Sequence, residues 1–349
     1  MDLSNQKQSS GDNSFNLQAK AIVFSGISLE QARQIALDVY RANALELKEI
    51  AQQTALHRAE VITDKFFSKL LSVNPSCVEA SRDPDFQYTL FEAQKSFSRS
   101  GDETLGDLLV NLLVRRAEEK GRSLKQLVLN EAVLTIQKLT QEQIDVLTVA
   151  FLLRYTRIYK ALTPQSFFEF IEKDILPLTL SAPKADSFYH HLVYTGTATV
   201  QMTSISLPAI FLAIYGGVFS KGLTQDQVNS IIRDDVSLAR FLIPCLRNKD
   251  LLQVRFQGLE VLNGSLSNEG LEEDAIAIVR QLHNTGLLSE NEVVSEIIES
   301  LPSASSLFQL WNNSALKNLV LTSVGIAIGH ANAWVRSGHI GNRIVWGHR

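Results

Sequence analysis

The feature that most constrains this chain is a short signal that recurs along it. A hydroxyl residue stands three positions before a Gln or Glu at Ser28/Gln31, Ser123/Gln126, Thr140/Gln143, Thr224/Gln227 and Ser289/Glu292, each time opening an apolar-periodic run. In such a capping box each side chain satisfies a backbone N–H of the other residue, N–H groups that a helix start leaves without partners. Thr163-Pro164 adds an N-cap with proline at the first helical position, where its missing N–H costs nothing. The fold class that follows is mainly α: a multi-helix body with a long N-terminal helix, a short N-terminal β-strand and a small mixed α/β module, winged-helix-like, at the C-terminal end.

From Ser28 no Pro or Gly interrupts the chain until Asn74-Pro75. A single helix over 28–74 would extend ~65 Å and act as a stalk. Its second half carries the stripe Ala55, Ala59, Ile62, Phe66, Leu70, Val73, the 3–4 spacing of one buried face. The first half is less regular, and a bend or a helix break is expected near Gln52-Gln53. Arg82-Asp83-Pro84-Asp85 reads as a turn. Helices are expected over Leu127–Leu139, Ile144–Tyr159 and Val228–Leu242, with a further one from Ser289 to Ser300 stopped by Pro302. The division expected is a flexible polar tail at 1–13, a strand element at 14–27, the stalk at 28–74, a helical domain at 75–244 and the mixed module at 245–349.

The strand is the exception to the helical pattern. Phe15, Leu17, Ala19, Ala21 and Val23 alternate with Asn16, Gln18, Lys20 and Ile22 before Ser25-Gly26, a period of two with one apolar face. The next segment is helical, so no sequence neighbour can pair with it. Either it joins a strand from far along the chain, or it pairs with copies of itself and makes those five residues an assembly face. Further on, Thr195–Thr203, the apolar run Leu319–Ile328 and Ile344-Val345-Trp346 read as β-like. Residues 263–270, rich in Ser and Gly, read as a loop.

Composition narrows the function. Of 349 residues 45% are hydrophobic and 20% charged, with a formal net charge of −4. That balance gives no general pull toward nucleic acid or anionic lipid. Cys77 and Cys245 are too far apart in sequence to suggest a disulfide framework or a zinc site, and neither a metal nor a cofactor is expected. Met1 is not followed by a basic region and an apolar run, so the chain is expected in the cytoplasm. Ser187–Ser220 contains no Asp, Glu, Lys or Arg, yet its most apolar part, 207–219, falls short of the ~20 residues a bilayer span needs. It reads as buried, with membrane association a minor alternative.

No catalytic motif is present. Gly216-Gly217-Val218-Phe219-Ser220-Lys221-Gly222 lacks phosphate-loop spacing, and its glycines suit a tight bend. His190-His191 with Tyr194 is the one candidate catalytic group. Adjacent positions point different ways on a helix or strand, so the two imidazoles do not converge easily on one ion.

The stretch Ser10–Ala19 (Ser-Gly-Asp-Asn-Ser-Phe-Asn-Leu-Gln-Ala), the Ser28–Lys48 segment with Ala36-Leu37-Asp38-Val39 and Arg41-Ala42-Asn43, and His57-Arg58-Ala59-Glu60 resemble a family of uncharacterised bacterial proteins known by locus tags. Arg122–Leu153 and Leu321–Ile328 resemble it more loosely. The Gly-Asp-Asn-Ser element is also similar to N-terminal pieces attached to bacterial conflict and anti-phage effectors. The resemblance implies a defence- or stress-related assembly protein and carries over no catalytic residue. The reading is a homo-oligomeric interaction or regulatory protein with a protein partner. An enzyme or toxin with a dispersed site, or a membrane-associating effector using 207–219, stand as alternatives.

Overall fold

The computed structural model describes residues 28–43, 49–158, 161–233, 235–337 and 344–346. The expected tail at 1–13 and the strand element at 14–27, with Phe15, Leu17, Ala19, Ala21 and Val23, lie outside the described residues. The protein is mainly helical. It divides into two compact units, Met1–Gln137 and Lys138–Arg349, a seam that falls inside the stretch 75–244 expected as one helical domain.

The first unit contains α1 (Leu29–Asn43), α2 (Glu49–Val73), a 3-10 stretch (Pro75–Arg82), α3 (Pro84–Ser100), α4 (Glu103–Glu118) and α5 (Leu124–Ile136). The 28–74 stretch is not one rod. Arg33 pairs with Asp64 at 2.7 Å and Arg41 with Glu60 at 3.5 Å, so α1 and α2 run antiparallel and side by side. The break expected near Gln52-Gln53 falls a few residues earlier, since α1 ends at Asn43 and α2 begins at Glu49, and α2 passes through both glutamines with Gln53 on its solvent face. Glutamine is a good helix former, and a polar residue on the outer face needs no break. The predicted stripe is buried from Ala55 to Leu70, while Val73 at the helix end is half exposed.

Local chemistry sets the ends of α3. Asp83 accepts from the Asp85 N–H as N-cap, Pro84 takes the first helical position, and Gly101 closes the helix at φ +61°, a left-handed conformation that glycine adopts without a steric penalty. Asp102 then caps α4 through the Thr104 and Leu105 N–H groups. Phe66, Phe86, Leu90, Phe97, Leu109 and Leu113 fill the core. Within it the Gln94 amide donates to Thr63 Oγ1 at 2.8 Å, so that buried donor is paired.

The second unit begins with α6 (Gln141–Arg154), β1 (Thr156–Ile158) and α7 (Pro164–Phe170). A π turn at Ile171–Ile175 leads into α8 (Leu176–Thr179). Pro177 has no N–H to give back to the preceding turn, and the widened turn accommodates that loss. Next come α9 (Asp186–Tyr194), β2 (Ala198–Val200), α10 (Leu207–Tyr215) and α11 (Gln225–Ile232). A 3-10 stretch (Val236–Phe241) precedes β3 (Leu242–Pro244), β4 (Leu252–Val254), α12 (Leu259–Asn268), α13 (Glu273–Thr285) and α14 (Glu290–Ser300). The unit closes with α15 (Ser305–Asn312), β5 (Leu319–Leu321), α16 (Ser323–Ser337) and β6 (Ile344–Trp346).

The strands form three separate antiparallel pairs: β1 with β6, β2 with β5, and β3 with β4. Each strand beyond residue 245 therefore pairs with one before it, and the 245–349 stretch has no sheet of its own among the described residues. The apolar run at Leu319–Ile328 is strand only as far as Leu321. Val324, Ile326 and Ile328 belong to α16, whose Gly329 packs against the Leu147 carbonyl and Phe151 of α6. The stretch 263–270 expected as a loop is helical through Asn268, with Leu262 and Leu266 buried. The helix expected to run to Leu242 stops at Ile232, where Arg233 takes φ +50°. Ile144–Tyr159 likewise ends at Arg154.

The capping boxes at Ser28, Thr140, Thr224 and Ser289 are all formed. At Ser123 the hydroxyl caps the Gln126 N–H, while the Gln126 amide turns away to Asp85. The stretch 207–219 is core. Phe167 packs edge-on against Phe211, Tyr215 and Phe219 with ring centres 5.0–5.2 Å apart, an arrangement that suits aromatic quadrupoles. Burial pushes the Tyr215 phenol up to about 12, and its oxygen accepts from the Ile158 N–H. No described helix is long and apolar enough to cross a membrane.

Candidate functional site

A wide concavity lies in the first unit. It is an open groove of about 1070 Å³ between α1 and the start of α3. The helix α1 turns Ala32, Ala36, Leu37 and Tyr40 into the core. Gln31, Gln34, Ile35 and Val39 remain on the adjoining face and form one wall. Tyr88 and Phe91 on α3 form the apolar side opposite. Ile35 is 40% exposed and Tyr88 59% exposed, a high exposure for side chains of their size.

Two polar atoms in this wall lack partners. Ser81 is 2% exposed and its Oγ makes no hydrogen bond. The Gln87 amide nitrogen donates to the Ser81 carbonyl at 2.7 Å, but its Oε1 is buried and unsatisfied. A buried unmade hydrogen bond costs roughly 1–3 kcal/mol. Both atoms are sealed beneath the groove wall without hydrogen-bond partners.

The turn that carries Ser81 is anchored from behind. Arg116, 1% exposed, binds Asp83 Oδ2 at 3.0 Å, Asp85 Oδ2 at 2.7 Å and Asn130 Oδ1 at 2.7 Å. Asn130 and Gln126 also donate to Asp85. The bond from Arg116, followed by that from Asn130, holds the Asp85 carboxyl below its ordinary range. Charge-assisted bonds of this kind are short and directional. They fix the Arg82–Asp85 junction, and with it the groove wall, on α4 and α5.

The predicted catalytic group sits in the second unit. His190 is exposed, and the Tyr194 ring is 85% exposed. His191 Nδ1 lies 3.1 Å from Gln143 Oε1. The Gln143 amide nitrogen donates to the Phe188 carbonyl, so Nδ1–H is the donor toward Oε1. The His191 ring stacks against Tyr194 with centres 6.2 Å apart. These contacts brace α9 against the start of α6. Among the described residues no three His, Cys, Asp or Glu side chains are gathered closely enough to hold a metal ion. Cys77 and Cys245 are both buried and unbonded to each other.

The glycine segment 216–222 does bend tightly. The Gly217 N–H donates to the Gln257 carbonyl at 2.8 Å, and Gly216 leaves room for His283, whose Nε2 has no partner. Burial lowers the His283 imidazole to about 4, so it is neutral at physiological pH.

Sequence reasoning missed the groove. Its residues are scattered over α1, the 3-10 stretch and α3, and none forms a motif. The one local sign was Arg82-Asp83-Pro84-Asp85, which as a turn gave no hint of Arg116 behind it.

The architecture defines a mainly helical protein whose first unit offers an apolar, amide-lined groove. The chain belongs to the family whose model, described as ":-like", matches residues 26–340. That span covers most of the chain, in keeping with the resemblance seen in the sequence, and begins after the Gly-Asp-Asn-Ser element. No curated protein and no solved structure matches the chain.

Proposed function

We propose that this chain is a self-associating protein-interaction or regulatory protein of the bacterial cytoplasm, serving a defence or stress response. The observation that supports the reading is the groove. It is open, and Ile35, Val39, Tyr88 and Phe91 give it a contiguous apolar lining. Contiguous exposed apolar surface is characteristic of a surface that another chain covers. The net charge of −4 fits a protein partner better than a nucleic acid.

The test is the mass of the full chain in solution, measured by light scattering across the micromolar range. A mass that is a multiple of the single chain, falling on dilution, is expected. A single-chain mass at every concentration overturns the proposal.

A further inference from the structure

We draw no further inference here: the strongest candidate, the open groove between α1 and the start of α3 with the exposed Ile35 and Tyr88 among its lining residues, belongs to the site already described, and nothing in the structure shows what covers it.

Discussion

Removing the Arg116 charge while keeping its bulk is the sharpest probe of how the groove wall is held. In Arg116→Met the apolar stem still fills the site beside Phe86, whose ring centre lies 5.8 Å from the guanidinium carbon. What disappears is the set of bonds to Asp83, Asp85 and Asn130. Bonds to charged groups contribute about 1.5–3 kcal/mol each when buried. Here the two carboxylates are about half exposed, so water and the remaining donors, Gln126 and Asn130, compensate in part. The net loss expected is about 3 kcal/mol, equivalent to a hundredfold faster local opening. Hydrogen exchange read by mass spectrometry on peptides covering the start of α3 and α5 measures this directly. The carboxylates left facing each other are part of the cost. Adding Asp83→Asn and Asp85→Asn, which keep the N-cap and relieve the repulsion, is therefore expected to restore at least half of the protection. The acid limb gives a second check. The Asp85 carboxyl sits below its ordinary value in the folded chain, so its contribution is present above the unfolded value near ~4 and is lost as pH falls through the lower folded value. Arg116→Met should blunt that loss. Exchange that rises less than about threefold, or a triple variant no better than the single one, refutes the reasoning.

Other expectations concern the second unit. His283 is 4% exposed and its imidazole is lowered to about 4 by burial. Because the folded value lies below the unfolded one, stability is full above ~6.5 and falls as pH drops toward 4, by up to about 3 kcal/mol. His283→Gln should flatten the melting-temperature profile across that window, and an unchanged profile contradicts the assignment. Two glycine substitutions should differ in sign. A Cβ at Gly325 would run into the Thr197 carbonyl, so Gly325→Ala is expected to destabilise by about 3 kcal/mol in urea titration. Gly264 lies within α12 with open space around it, so Gly264→Ala should stabilise by ~0.5–1 kcal/mol.

Helix starts were legible in the sequence because a capping box is a local object. Ser28, Thr140, Thr224 and Ser289 each need only a residue three positions on, and the structure forms all four boxes. Helix ends were less legible. The helix after Thr224 stops at Arg233, which carries no glycine to announce a left-handed residue. Periodicity misled at Leu319–Ile328, where β-branched residues continue from a strand into a helix whose partner, α6, lies far back in the chain. The irregular first half of 28–74 did announce a break, but Gln52-Gln53 placed it a few residues late, since an outer helix face tolerates polar residues freely. The groove depended on how α1 packs beside the start of α3, a fact of three-dimensional packing that leaves no trace in spacing. Arg116 was invisible for the same reason: a buried arginine is read from the carboxylates around it, and those lie 31 and 33 positions away.

The close fit of α16 on α6 has a consequence for how the protein is made. Asn332 and Asp145 are 187 positions apart, and at about 5–20 residues per second a ribosome takes roughly ten to forty seconds to deliver the second after the first. Throughout that interval the newly emerged α6 has an oily flank and no helix to seat against it. A chain that stops upstream of α16 therefore lacks the helix that covers this flank of α6.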